Sequence, residues 1–401
     1  MDRGLRVLVL TTLFPHHPGE KEGNFVLDQV RALAKQKADV TVLVARPWNP
    51  LPFLAPKNKR NIDESVYAEE SFRVRNTNYF SLPRFALGVG AYKHAAGVFL
   101  KAADIAREWQ FDVVHAHGFL MGYVANSLEA PSVITIHGIE TDPRFDDTDG
   151  KREKLEEVLN RADQVVLVGS PLIEHCKKYA SRTDHFTVVG NGCTVHPDLQ
   201  PSQNIPRRRP QRVVAVSNYE ESKGFDLLVE ALADGGLQNQ FELVIVGGGG
   251  GFKRLKDRVR ELGVDGSVHF TGLLSHQDAL AEVMAADIFC LPSWREAFGI
   301  MYAEAMTLGK LAMGCQGQGP SDFIRHKETG YLMEPGSTSA VIEALRWAIE
   351  HPEDASRAAR AGQEYALHNL TWDANASRMM EVFREAISAR TQGAKNRTAM
   401  V

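Results

Sequence analysis

Twice along this chain a short Val-rich run of strand length gives way to a segment with helical spacing, and the alternation then repeats. Arg6–Leu10 precedes Phe25–Lys37, where Val26, Val30, Leu33 and Ala34 share one helical face. Val40–Ala45, Asp112–Ala116, Ser132–Ile136, Gln164–Val168 and Thr187–Val189 read as further strands, with a Pro-rich loop at Trp48–Pro56 and a helix over Gly88–Glu108. The pattern breaks at His196–Gln211, which holds Pro197, Pro201, Pro206 and Pro210 and reads as a linker. It restarts with Arg212–Val216, Phe225–Ala233 and Glu242–Val246, then runs through Phe252–Leu262, Val268–Thr271, His276–Ala285 and Ile288–Leu291. Thr338–Arg390 is almost wholly helical, broken at Pro352 and near Trp372. Such alternation predicts an α/β fold of two doubly wound domains on parallel sheets. A length of 401 residues agrees with two cores better than with one. In such sheets ligands bind outside the carboxyl ends of the strands, so the expected site is a cleft between the two domains.

Composition narrows the function classes. Residues 1–195 carry 24 basic and 24 acidic side chains and the remainder 22 and 26, so neither half has the basic excess of a nucleic-acid binder. The cluster Arg207-Arg208-Arg209 with Arg212 sits beside prolines and reads as a solvated linker. Apolar runs are strand-length and none reaches a membrane span. Met1–Leu5 leads straight into a strand without a secretory signal, which makes a cytoplasmic location the expectation. Cys176, Cys193, Cys290 and Cys315 form no C-x-x-C pair and read as buried thiols.

Four loops carry the residues with chemistry to offer. Glu296-Ala-Phe298-Gly299-Ile300 precedes a helix that contains Glu304. The free N–H groups and dipole of that helix favour an anion such as a diphosphate, and a carboxylate beside them suits sugar or ribose hydroxyls. Asn218 and Lys223-Gly224 lie between a strand and a helix, where the lysine is placed to neutralise a phosphate. His137-Gly138 ends a strand and offers a hydrogen bond to a hydroxyl or phosphate, or a proton-transfer group. Gly23-Asn24-Phe25 occupies the turn where a first Rossmann-like loop meets phosphate. Gly247–Gly251 lacks the last glycine of a dinucleotide fingerprint, because Phe252 stands there. His115 and His117 share a strand face, but without a third ligand nearby in sequence no metal site is expected.

Together these segments resemble the retaining GT-B-fold glycosyltransferases, the large family of sucrose synthases, phosphatidylinositol mannosyltransferases and polysaccharide-assembly enzymes with a Glu-x7-Glu motif. Thr12–Pro15, Gly23–Phe25, Asp112–His117 and Thr135–Gly138 are similar to the family's acceptor domain. Lys223-Gly224, Phe270–Gly272, Leu291–Ser293, Glu296–Glu304 and Gly330–Leu332 are similar to its donor domain. The resemblance implies an acceptor domain over 1–195, a linker over 196–211, a nucleotide-sugar domain over 212–370, and a helix over 371–390 returning to the N-terminal domain. Residues 391–401 are expected to be a disordered tail.

It also implies roles. Glu296 holds donor-sugar hydroxyls and Glu304 the ribose. Backbone amides of Phe298, Gly299 and Ile300 meet sugar and phosphate, and Lys223 meets the diphosphate. Gly23 lets its loop approach that diphosphate, His137 touches the sugar across the cleft, and Leu273 lies where backbone atoms recognise the base. Asn218 replaces a family arginine, so one diphosphate contact is weakened or supplied elsewhere. Asp322 stands near an expected glutamate.

The implied reaction moves a sugar with retention from a nucleoside diphosphate sugar to an acceptor hydroxyl. The acceptor is a carbohydrate or is lipid-linked, as in surface polysaccharide or glycolipid assembly. No cofactor, metal or nucleic acid is implied. Arg84, Lys93 and Lys101, beside an apolar helix, offer at most a weak contact to an anionic inner membrane face. The rival readings are a nucleotide-sugar epimerase on the same fold and a non-catalytic nucleotide-sugar-binding protein.

Overall fold

Strands form at the Val-rich runs because β-branched side chains pack well between layers of helix. The computed structural model describes residues 4–18, 20, 22–48, 61–80, 96–138, 151–195 and 210–398. They fall into two compact units, Met1–Gly190 with Trp372–Val401, and Asn191–Thr371.

The first unit holds β1 (Arg6–Thr11), β2 (Asp39–Trp48), β3 (Arg73–Phe80), β4 (Val113–His117), β5 (Ser132–Ile136), β6 (Gln164–Leu167) and β7 (Phe186–Val188). Its helices are α1 (Asn24–Lys35), α2 (Ala96–Glu108), α3 (Phe119–Ala125), α4 (Lys151–Arg161) and α5 (Pro171–Lys177). The strands are parallel in the order β3-β2-β1-β4-β5-β6-β7. Val7 of β1 pairs with Val40 on one side and Val113 on the other. The strand order reverses between β1 and β4, and the chain leaves the sheet there in opposite directions, which opens a crevice at their carboxyl ends.

The second unit holds β8 (Gln211–Val216), β9 (Phe241–Val246), β10 (Val268–Gly272), β11 (Ile288–Cys290), β12 (Leu311–Cys315) and β13 (Tyr331–Met333). Its helices are α6 (Phe225–Asp234), α7 (Phe252–Glu261), α8 (His276–Ala285), α9 (Ile300–Thr307), α10 (Thr338–Glu350) and α11 (Pro352–Asn369). This sheet is also parallel, in the order β10-β9-β8-β11-β12-β13, with its reversal between β8 and β11. Both sheets therefore have the doubly wound, Rossmann-like order.

The last helix, α12 (Trp372–Thr398), belongs to the first unit. Its Ala376, Met379, Phe383 and Ala386 are buried in one core with Val26, Val30 and Leu33 of α1. Gln29 Nε2 donates to Asn375 Oδ1 (2.8 Å), and Asn375 Nδ2 donates to the Gly190 carbonyl (2.8 Å). The helix runs on to Thr398, past the end expected at residue 390, and the Thr391 hydroxyl donates back to the Ile387 carbonyl.

The four cysteines are free and buried. Three strands lie where none was expected from the sequence, β3, β12 and β13. The linker residues 196–209, residues 88–95 of the expected helix, most of the loop over 48–56, and Arg84 and Lys93 lie outside the described residues. Lys101 is exposed on α2. Among the described residues, no helix is long and apolar enough to cross a membrane.

Candidate functional site

In the second unit the reversal of strand order decides which loops meet. The loop after β8 carries Asn218 and Lys223, and the loop after β11 carries Glu296. These loops touch: the Trp294 N–H donates to the Ser222 carbonyl (2.9 Å), and a Cβ on Gly224 would lie 2.4 Å from the Pro292 oxygen. Lys223 Nζ and Glu296 Oε2 stand 2.9 Å apart, with side chains 19% and 16% exposed. The Glu296 backbone is pinned on its other side by the loop after β12. Its N–H donates to Gln318 Oε1 (3.1 Å), and its carbonyl accepts from the Gly319 N–H (2.8 Å). Both charged groups thus sit at the crevice with their backbones held.

Behind Glu296 the chain enters α9 through Gly299, at φ 89°. A side chain there would meet the Tyr302 ring at 2.6 Å as well as strain the backbone. The Ile300 and Met301 amides that open α9 have no intrahelical acceptor and face outward along the helix axis, while the Tyr302 N–H bonds back to the Gly299 carbonyl (3.1 Å). Phe298 is buried against Phe323, with ring centroids 5.1 Å apart, so only its backbone is available to a ligand.

Glu304 lies within α9, and its side chain is only 4% exposed. One carboxylate oxygen, Oε1, is 3.0 Å from His276 Nε2 at the start of α8. The other, Oε2, is buried and has no hydrogen-bond partner among the described residues. A buried carboxylate oxygen left unpaired is expensive, so this one is open to a donor from a ligand or a water. The electrostatic reach of Glu304 extends to Cys193. Burial first, and that carboxylate second, push the Cys193 thiol well above its ordinary range.

Asn218 and Leu273 are exposed at the carboxyl ends of β8 and β10. Leu273 is 69% exposed, in a loop whose Gly272 carbonyl accepts from the Gly247 N–H (3.0 Å). The glycine run after β9 packs against the loop after β8, with Gly251 backed by the Tyr219 ring. Tyr219 in turn donates to Asp226 (2.8 Å) and accepts from Arg254 (2.7 Å).

In the first unit Gly23 caps α1 at φ 84°, where a Cβ would lie 2.6 Å from the Phe14 nitrogen. Only glycine fits that turn. Phe25, two residues on, lays its ring 4.8 Å from the half-buried His137. His137 Nε2 is 2.9 Å from His117 Nδ1, and the rings stack at 11°. His115, two residues back along β4, reaches Thr135 Oγ1 at 2.8 Å. Burial pushes the histidines down, His115 to about 3, His137 to about 4 and His117 well below its ordinary value. All three are therefore neutral at pH 7. Among the described residues, no group of three or more His, Cys, Asp or Glu side chains is arranged to hold a metal ion.

The structure brings Lys223, Glu296, Gly299, Ile300 and Glu304 together in one unit and Gly23 with His137 in the other. His276, Gln318 and His117 contact these residues and were not assigned roles from the sequence. His276 and Gln318 arrive from loops after different strands, with no local spacing to announce them, while His117 ends β4 and stood out in the sequence only beside His115.

Two family models match the chain. "Glycosyltransferase Family 4" covers residues 23–196, and "Glycosyl transferases group 1" covers residues 198–365. A glycogen synthase of Mycobacterium tuberculosis is 26% identical over 398 residues, spanning 95% of each chain. Among solved structures, the sucrose-phosphate synthase of Thermosynechococcus elongatus superposes with a TM-score of 0.73 at 19% identity, covering 96% of this chain and 100% of that one. Anabaena HepE, in complex with UDP and glucose, superposes at 0.68 and 19% identity, covering 95% and 99%. With matched models spanning both halves and two doubly wound units of the kind these proteins share, the chain belongs to the GT-B-fold glycosyltransferases of the group 1 and family 4 type.

Proposed function

We propose that this glycosyltransferase moves a sugar, with retention of anomeric configuration, from a nucleoside diphosphate sugar to an acceptor hydroxyl. The observation that carries the reading is the nine-tenths-buried Glu304, with one oxygen unpaired, inside the helix that opens beside the Lys223–Glu296 pair. A ribose offers vicinal hydroxyls to such an oxygen. The diphosphate then lies toward the α9 amides and Lys223, and the sugar hydroxyls toward Glu296.

Negative charge grows on the departing diphosphate. The lysine and the helix N-terminus are placed to meet it, and such preorganised donors are worth about 2.7–4 kcal/mol each. This supports a reaction that continues in EDTA. Retention is assigned, on the family likeness, to front-face attack, in which the leaving diphosphate takes the acceptor proton. On the family likeness, Gly23 is assigned to the diphosphate, His137 to a sugar oxygen, Leu273 to the base region and Asn218 to a weakened phosphate contact. The domain limits 1–195, 212–370 and 371–390 rest on the same likeness, as does a carbohydrate or lipid-linked acceptor in polysaccharide or glycolipid assembly. The named relatives support a carbohydrate acceptor, and HepE makes UDP the first nucleotide to try.

The test is thermal unfolding with UDP, GDP, ADP and NAD, for the wild-type chain and Glu304→Ala. A ligand at about 100 times its dissociation constant adds about 2.7 kcal/mol. We expect one nucleoside diphosphate to raise the midpoint and the variant to lose that rise. A rise with NAD alone, or one that Glu304→Ala leaves intact, counts against the site. Product NMR with the matching nucleotide sugar, in EDTA, then reads the anomeric outcome, and an inverted product or loss of rate corrects the mechanism.

A further inference from the structure

The contact between His117 and His137 joins two imidazole nitrogens, so one must donate and the other accept. Two arrangements satisfy it. In one, His117 Nδ1–H donates to His137 Nε2. His117 Nε2 is then a bare lone pair, and the His137 proton sits on Nδ1. In the other, His137 Nε2–H donates and the His117 proton is left on Nε2. That atom is buried and has no hydrogen-bond partner among the described residues. The second arrangement therefore strands a buried N–H, which is rarer in folded proteins than an under-used acceptor.

The neighbour repeats the logic. His115 Nδ1 is likewise buried without a partner, while its Nε2 reaches Thr135 Oγ1. Both unpartnered atoms are then lone pairs, and the N–H groups of His115 and His117 each have an acceptor. Doubly protonated rings do not rescue the second arrangement, because burial keeps the three histidines neutral. Among the described residues they contact the uncharged Phe25 from α1, Phe383 from α12 and Thr135 from β5.

We infer that His117 is a positioning residue that holds His137 in the Nδ1–H tautomer, so that His137 presents an N–H donor to a substrate oxygen and does not act as a proton acceptor. The substrate group is an oxygen acceptor, either a sugar hydroxyl or a phosphate oxygen. This deepens the proposed function and rests on it for what His137 touches, though not for the tautomer itself.

The experiment is long-range proton–nitrogen NMR of the full chain labelled with 15N-histidine at pH 7, with resonances assigned through single-histidine variants. We expect His137 with a protonated Nδ1 and a bare Nε2. In His117→Phe that pattern shifts to the opposite tautomer, and kcat falls on the order of tenfold as the donor is misplaced. The donor KM stays within about twofold, as for an interaction used mainly in the transition state. His117→Asn, whose amide N–H donates from nearly the same position as the imidazole Nδ1–H, keeps the wild-type tautomer and recovers much of the rate. A shift of the His137 resonances with UDP alone assigns the phosphate oxygen, and a shift only with UDP-glucose assigns a sugar hydroxyl. A wild-type His137 protonated on Nε2, or a His117→Phe chain that keeps both tautomer and rate, overturns the inference. Failure of the proposed function would show instead as no transfer by the wild-type chain, while the tautomer readout, which needs no substrate, still decides the positioning role.

Discussion

Lys223 and Glu296 neutralise each other before any ligand arrives. Their 2.9 Å pair is largely withdrawn from water, so the lysine is not simply available to a phosphate. On the proposed function, a nucleotide sugar would resolve the competition by giving Glu296 hydroxyl donors and Lys223 a diphosphate. A bare nucleoside diphosphate supplies only the second half. Glu296→Gln should therefore separate the two effects. Without the carboxylate, Lys223 faces the diphosphate unopposed, and UDP should bind more tightly, by a charge-assisted bond worth about 1.5–3 kcal/mol less any pairing the amide restores. Turnover of the nucleotide sugar should fall by two to three orders of magnitude, roughly the cost of one lost transition-state contact. Titration calorimetry with UDP and steady-state rates on the same preparation check both halves. Weaker UDP binding in the variant would mean that Glu296 organises Lys223 and does not compete for it. Glu296 and Glu304 were legible because two acids flanked a strand-to-helix turn. Their partners Gln318 and His276 were not, because they follow β12 and β10, and only the sheet order places them beside α9.

Legibility at the scale of elements follows burial. The central strands β1, β4, β5, β8 and β9 are covered on both faces and read as apolar runs. β3 is an edge strand paired only with β2, and its sequence Arg-Val-Arg-Asn-Thr-Asn-Tyr-Phe keeps polar groups for water, so hydrophobic content misses it. β12 is buried throughout but short, and its Leu-Ala-Met-Gly-Cys sequence lacks β-branched residues. The return of α12 to the first unit was implied by resemblance alone, since no local feature of a helix names the unit it packs on. Its place is fixed by an apolar face and by Asn375, which bridges Gln29 and the Gly190 carbonyl. Asn375→Ala strands a buried amide donor of Gln29 and a carbonyl together. It should cost about 1–3 kcal/mol, read as a lower midpoint of the first unit's unfolding with UDP binding by the second unit preserved. A neutral result would mean that the apolar face alone holds the helix.

The two units share an architecture yet differ in how acid should act on them. The first carries the buried His115 and His117 and the half-buried His137, whose folded pKa values burial holds well below the unfolded value near 6.5, and burial also lowers His185. In the second, burial also lowers His326, but that ring is partly exposed. The sign follows from linkage. Between the unfolded and folded pKa values only the unfolded chain takes up the proton, so acid favours unfolding. Stability from these groups is complete above about pH 6.5. It falls as the pH drops and levels off below the folded values, about 4 for His137 and about 3 for His115. At pH 5 His115, fully buried and with a folded value of about 3, should have removed about 2 kcal/mol. That is a large share of a unit whose total stability is of order 5–15 kcal/mol. Hydrogen exchange of the intact chain, resolved by segment between pH 7 and 5, should show β1, β4 and β5 losing protection before β8 and β11. His115→Phe removes one titrating ring and keeps its contact with Phe383, so it should flatten the first unit's pH dependence by about one proton's worth. Equal loss of protection in both units, or an unchanged slope in the variant, would place the acid sensitivity elsewhere.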